Sequence, residues 1–334
     1  MADQADRPRG GRVSVYYSLQ PRDPRQLAPF ARLAAEHADR LWMGQSLRLD
    51  SHQTLAHLLG QGISPALGVG VSLMPLSHPY QAAMAARSLA ALSGKPLTAA
   101  FGTGTPAFQR AMNDAPYDSP LKAARDYITT VCRLLKGPSG GAQDADATAT
   151  LRLDPTLGEC PEVEAGLGVL QRGMARLAAE HADVALTWLT PLSYVRDTLL
   201  PLLHGAEGAG PRVVSVAHVV VRRPGRDVTR VVRQATANHL SSPHYQRALT
   251  AAGVALTGSD QDIARKLIDH DVVLVGTADE IASNISSYWA VGIDEVVLNP
   301  CVLVTEGPAE ALRDLLEITV ACREAAEPRM EEPA

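Results

Sequence analysis

The chain has 334 residues, 46% of them apolar and 20% charged, with 31 basic and 36 acidic side chains for a net charge of −5. This is the composition of an ordinary globular protein, so long disorder is excluded except at the ends. It offers no basic footprint for nucleic acid and no apolar run long enough to span a membrane.

In chain order, β-branched runs alternate with amphipathic stretches. Residues 13–18 (VSVYYS) predict a first strand, and 24–38 a helix with Leu27, Phe30, Ala31 and Ala34 on one face. Strands are predicted over 40–44 (RLWMG), 66–73 (ALGVGVSL) and 97–102 (LTAAFG), with helices over 51–60, 79–92 and 121–135 between or after them. Ser51 is placed to cap the second helix. The small and polar run 137–150 (GPSGGAQDADATAT) predicts a mobile surface insertion. Alternation then resumes, with strands over 164–169, 184–189 and 212–221, and helices over 171–181, 192–204, 228–240 and 245–251. A helix over 278–291, an eighth strand over 295–299 (EVVLN) and a helix over 309–325 complete the domain. The expected organisation is one domain over 13–325 between tails at 1–12 and 326–334.

Eight strands alternating with helices imply parallel strands joined by crossover helices, either as an open doubly wound sheet or as a closed barrel. A repeat favours closure. ARLAAEHAD occurs at 31–39 and again at 175–183, each time a helix feeding a short strand, four units apart. In an eightfold ring the two copies would make equivalent contacts on opposite sides. The expected fold is therefore a (β/α)8 TIM barrel.

The four cysteines, Cys132, Cys160, Cys301 and Cys322, share no zinc or redox spacing, and residues 1–12 lack the apolar core of a signal peptide. Reduced thiols, no metal site and a cytoplasmic location are expected.

In a barrel the reactive site lies where the strands end. Here those ends are Tyr17 and Ser18, Gly44 and Gln45, Val71 and Ser72, Gly102 to Thr105, Gly168 and Val169, Thr187 and Trp188, His218, and Asn299. Tyr16 and Tyr17 occupy alternate faces, so only one of them enters the barrel. Tyr17 and His218 are the candidate proton donors, the latter because an imidazole titrates near neutrality.

Four segments carry a resemblance to a known family: LGVGVSLMPLSHPYQAAMAARSLAAL at 67–92, AAFGTGTP ending at Pro106, ADVALTWLTPLSYVRDTLLPL at 182–202, and VGTADEIASNISSYWAVGIDEVVLNP at 275–300. In this order they resemble the third strand with its His-Pro helix start, the Gly-x-Gly after strand four, strand six with its helix, and the last helix–strand unit of the bacterial-luciferase-like monooxygenases. The resemblance implies an isoalloxazine-type cofactor at the strand ends, either coenzyme F420 or flavin mononucleotide. TWLTPLSYVRDTLLP looks most like deazaflavin-dependent actinobacterial members. The expectation is therefore a coenzyme F420-dependent reductase that moves hydride onto an activated C=C or C=N bond. Its substrate would be a small molecule or peptide of natural-product biosynthesis, for example one holding a dehydroamino acid. Two other readings stand beside it: a monooxygenase using reduced flavin mononucleotide and oxygen, and a non-catalytic flavin-binding paralogue. Family members also form homodimers.

Carried onto this sequence, the resemblance places the ring against Val71, Ser72, Gly102, Thr103, Gly104 and Gly168. Glycine lets a flat ring approach the backbone, and Gly68 and Gly70 suggest a further close approach within strand three. A non-proline cis peptide is expected near Gly70 to Ser72. Trp188 would wall the pocket and Thr187 would bond the cofactor tail. Gln45 stands where the family often has histidine or glutamate. Thr105 stands where its sugar-phosphate dehydrogenases have glutamate, which argues against that activity. Thr105 and the run HLSSPHY, with His239 and Tyr245, would shape the substrate entrance. The phosphate cradle falls at Gly168, Val169 and the residues up to Gln171, or at Gly276 and Thr277, and the first of these departs from the family's Gly-Gly.

Overall fold

The computed structural model describes residues 11–136, 160–205 and 210–326. The insertion expected at 137–150 and the expected tails, apart from residues 11, 12 and 326, lie outside them. Among the described residues nine strands form: β1 (Arg12–Tyr17), β2 (Leu41–Met43), β3 (Leu67–Leu73), β4 (Leu97–Gly102), β5 (Val163–Gly168), β6 (Val184–Trp188), β7 (Arg212–Val221), β8 (Val273–Gly276) and β9 (Glu295–Pro300). Every pairing is parallel. β1 to β7 pair in sequence, β7 pairs with β9, and β9 pairs back with β1, closing an eight-stranded barrel. The (β/α)8 barrel expected from the alternation is thus the observed fold.

The ninth strand is a feature that periodicity does not show. β7 is ten residues long. Its first half pairs with β6 through Trp188↔Val216, and its last four residues pair with β8 through His218↔Val273 to Val221↔Gly276. Four residues are too few to reveal a period, and helices Asp260–Asp269 and Ala278–Ala290 crowd both sides of β8.

The nine-residue repeat does what twofold placement in a barrel requires. Asp39 accepts from Val13 N at 2.7 Å and Asp183 accepts from Ala165 N at 3.0 Å, so each copy clamps the helix-to-strand turn onto the preceding strand. Asp294 repeats the clamp on Val213 N at 2.7 Å, without the rest of the repeated sequence. At the second helix the capping group is Asp50, which accepts from Gln53 N at 2.8 Å. Ser51, expected as the cap, instead donates to Gly44 O at 2.8 Å and fixes the exit of β2.

Strands buried on both faces sort their side chains into two cores. The large outer core packs the strands against the helices. A small inner core fills the barrel with Tyr16, Trp42, Ala100, Val184, Leu186, Val214, Val216 and Val297. All four cysteines are unpaired. No helix among the described residues is long and apolar enough to cross a membrane.

Candidate active site

The two ends of the barrel differ in chemistry. At the end where strands begin, Glu295 is wholly buried and accepts from Ser14 Oγ at 2.6 Å, Trp42 Nε1 at 2.7 Å and Arg212 at 2.6 Å. Arg212 also donates to Glu164 at 2.6 Å, and Arg40 lies 3.5 Å from Glu295. Burial is the largest single influence on Glu164 and works against its charge, but the hydrogen bonds and charge of Arg212, with the Thr98 hydroxyl and the Arg40 charge, together outweigh it and hold the carboxyl below its usual range. With its charges paired, this network is a plug. The middle of the barrel is filled by the Trp42 indole. A Cβ on Gly68 would sit 2.2 Å from that ring, and one on Gly70 would sit 2.8 Å from Leu186 and 2.9 Å from Trp42. The close approach that these two glycines permit is that of a tryptophan.

The mouth, where strands end, is where polar groups are left over. A non-proline cis peptide lies at Gly70–Val71, as expected, and the β3–β4 register slips between Gly70 and Ser72. The irregularity turns Val71 into the barrel. Its methyls fill the space between Gly102 and Gly168, where added Cβ atoms would each lie 3.0 Å away. Val71, Gly102 and Gly168 are all half-buried and lie side by side at the mouth. Gly104 holds φ +70, open to glycine at little cost. The turn is latched from behind by Gln109, whose amide donates to Thr103 O and Gly104 O at 3.0 Å.

Across the mouth stand Trp188 from β6, His218 from β7, Asn299 from β9 and Tyr16 from β1. The Trp188 ring meets Tyr16 and His218 edge-on, each at 4.9 Å between centroids. His218 and Asn299 are register partners on neighbouring strands and are 1% and 4% exposed. Helices Val228–Leu240 and Pro243–Ala251 cover this wall: His239 packs on Trp188 at 5.2 Å and Tyr245 on His239 at 5.1 Å. Beneath them Trp188 Nε1, His239 Nδ1 and Asn299 Oδ1 are buried without a hydrogen-bond partner, and the His218 ring has the Val216 backbone alone. Each unmet atom costs about 1–3 kcal/mol, so their grouping makes this wall the candidate site. Burial, helped by the neighbouring His239, pushes the His218 imidazole down to about 3, and burial with His244 pushes His239 down to about 4. Both are neutral near pH 7.

Several expected site residues are used by the fold instead. Tyr17 points outward against Phe30 at 5.1 Å, and Tyr16, its neighbour, takes the inner position and donates to Gly70 O at 2.9 Å. Thr187 is one residue out of phase with Leu186 and Trp188, and it donates outside the barrel to Ser215 Oγ at 3.0 Å. Val169 is buried in the outer core. Thr105 caps helix Pro106–Asn113 through Phe108 N at 3.1 Å, and Thr277 caps Ala278–Ala290 through Glu280 N at 3.2 Å. Gln45 lashes β2 to β3, accepting from Leu73 N at 3.3 Å and donating to Ser46 O at 2.9 Å. Ser72 is buried at the register slip. Val71, Gly102, Thr103, Gly104, Gly168, Trp188, His218, His239 and Tyr245 do gather at the mouth. After β5, helix Arg172–His181 starts at Gln171 without a side-chain cap, so its first N–H groups suit an anionic tail. Among the described residues no group of three His, Cys, Asp or Glu side chains could hold a metal ion.

A family model described as luciferase-like monooxygenase matches residues 9–295. No curated protein matches in sequence. Among solved structures, an F420-dependent secondary alcohol dehydrogenase bound to an F420–acetone adduct is similar over 94% of this chain and 99% of its own, with TM-score 0.70 and 16% identity. A coenzyme F420 dependent tetrahydromethanopterin reductase from Methanopyrus kandleri is similar over 93% and 97%, with TM-score 0.64 and 16% identity. An EDTA monooxygenase from Chelativorans sp. BNC1 is similar over 96% and 95%, with TM-score 0.64 and 14% identity. At these identities the likeness is one of fold.

Proposed function

Because this chain belongs to the luciferase-like monooxygenase family, we propose that it is an oxidoreductase that uses coenzyme F420 to reduce an activated C=C or C=N bond of a small-molecule or peptide substrate. The observation that carries this reading is the meeting, at one end of the barrel, of the Val71–Gly102–Gly168 patch with the buried, unmet polar atoms of Trp188, His239 and Asn299 beside His218. The strand-six segment TWLTPLSYVRDTLLP and the likeness to two F420-dependent enzymes support the choice of deazaflavin.

The reduced deazaflavin, when bound, supplies hydride and does not activate oxygen. The residues of this chain supply position. Val71, Gly102 and Gly168 would seat the ring face, with Gly104 and Thr103 at its edge, and the first turn of Arg172–His181 would hold the phosphate tail. Trp188, His218 and Asn299 would hold the substrate across the ring, where near-attack placement does most of the catalytic work. His239 and Tyr245 would exclude water from above. His218, kept neutral by burial, acts there as a hydrogen-bonding group with one N–H and one lone pair, not as an imidazolium acid.

Anaerobic incubation with reduced coenzyme F420 and an α,β-unsaturated amide tests the reading. Substrate-dependent oxidation of the coenzyme is expected. Activity that appears only with reduced flavin mononucleotide and oxygen would replace the reading with the monooxygenase one.

A further inference from the structure

Gln109 lies in helix Pro106–Asn113 and is 1% exposed, yet its side chain bonds only to main chain. Its amide donates to Thr103 O and Gly104 O, and its Oε1 accepts from Tyr117 N at 2.9 Å. The two carbonyls belong to successive peptides. Both peptides are trans, so in each the N–H points opposite to the carbonyl. The Gly104 and Thr105 N–H groups therefore face away from Gln109, and neither has an acceptor among the described residues. The Thr105 hydroxyl is taken up by the helix cap, but its main-chain N–H is not.

Gln109 is enclosed while Thr103, Gly104 and Thr105 are half-exposed, so the N–H groups face the open side of the turn. That turn follows directly on Gly102, beside Val71. Glycine at 104 would let either peptide rotate at little cost, and rotation would turn a carbonyl outward in place of an N–H. The latch holds both peptides against it.

We propose that Gln109 is a positioning residue of the site: by holding both carbonyls it keeps the Gly104 and Thr105 N–H groups turned outward as donors to an acceptor on the edge of the bound ring. The inference rests on the redox reading for its ligand and deepens it by naming the side chain that sets the donors. Methionine at 109 fills the same space with no donor. Glutamate keeps the acceptor for Tyr117 N but brings a carboxylate against two carbonyls.

The test is calorimetric titration of the full chain with oxidised coenzyme F420, and with flavin mononucleotide beside it, while amide proton resonances are followed. In wild type the Gly104 and Thr105 amide protons should move downfield as the coenzyme binds. Gln109→Met and Gln109→Glu should each bind at least about tenfold more weakly, and the two amide shifts should be lost. Melting curves establish that the variants fold; if neither does, the wild-type shifts decide. A latch with only a structural role would lower the melting temperature of both variants and leave affinity and shifts as they are.

Coenzyme binding that leaves the two amides unmoved overturns the proposal and leaves the redox reading standing. Unchanged affinity in a folded variant does the same. Failure of wild type to bind either coenzyme overturns the redox reading and this inference with it. Binding of flavin mononucleotide alone, with the same two amides moving and the same dependence on Gln109, would replace the deazaflavin and leave the positioning role standing.

Discussion

Val71 stands where a side chain on Gly102 would have to go: a Cβ there would lie 3.0 Å from Val71 Cγ2. The glycine of the strand-four turn thus serves the register slip in β3 before it serves any ligand. Gly102→Ala is expected to destabilise the fold by about 1–3 kcal/mol, the usual cost of overpacking. Val71→Ala in the same chain should recover most of that loss. Urea unfolding of the two single variants and the double variant measures the coupling. Additive losses would mean that the two residues do not compete for the same space.

At the opposite end, Glu295 is the carboxylate on which Arg212, Ser14 and Trp42 converge. Glu295→Ala leaves Arg212 half-paired and buried and should cost about 3–5 kcal/mol. Asp126→Ala breaks the exposed Lys122–Asp126 pair and should cost less than about 1 kcal/mol. Chemical denaturation of both variants decides; a small loss for Glu295→Ala would show that the plug is not held by its charges.

Acid should weaken the protein through the mouth. The His218 imidazole falls from 6.5 in the unfolded chain to about 3 when buried, so between those values the unfolded state binds the extra proton. Stability is complete above pH 6.5 and is lost as pH falls. From pH 7 to 4.5 His218 alone should remove about 2–3 kcal/mol, and His239, pushed down to about 4, adds to the loss. His218→Phe should flatten the dependence of the melting temperature on pH over this window. An unchanged slope would mean that His218 is solvated and titrates normally.

The two adjacent tyrosines should behave differently. Tyr16→Phe removes the donor to Gly70 O and should cost about 1–2 kcal/mol, with weaker binding at the mouth. Tyr17→Phe, which alters a ring packed on Phe30, should leave ligand affinity at the mouth unchanged. Titration of both variants with the coenzyme separates them, and the reverse order would place Tyr17 in the site.

What the sequence made legible follows from where period and composition carry information. Seven short apolar runs and the late EVVLN run mark the ring, and the repeated ARLAAEHAD marks its symmetry, because Asp39 and Asp183 perform the same clamp. β8 escapes because VLVG is too short to show a period. The phase of VSVYYS is hidden because a barrel strand buries both faces, so Tyr16 and Tyr17 look alike in sequence. The resemblance puts Thr105, Thr187 and Gln45 at the site by position, but capping and strand-to-strand bonds use the same side-chain chemistry as ligand binding. The Glu295–Arg212–Glu164 plug joins strands far apart in the chain and has no local signature. Asn299 was visible only as a strand end; its unmet oxygen beside His218 belongs to the closed ring.

The proposed deazaflavin ring would lie on the Val71–Gly102–Gly168 patch. Calorimetric titration of wild type and Gly168→Leu with oxidised and reduced coenzyme F420 and with flavin mononucleotide decides this. Wild type should prefer the deazaflavin, and a leucine side chain across the patch should weaken it by at least about tenfold in a chain that still folds. Equal affinity in the two proteins, or binding of flavin mononucleotide alone, would contradict it.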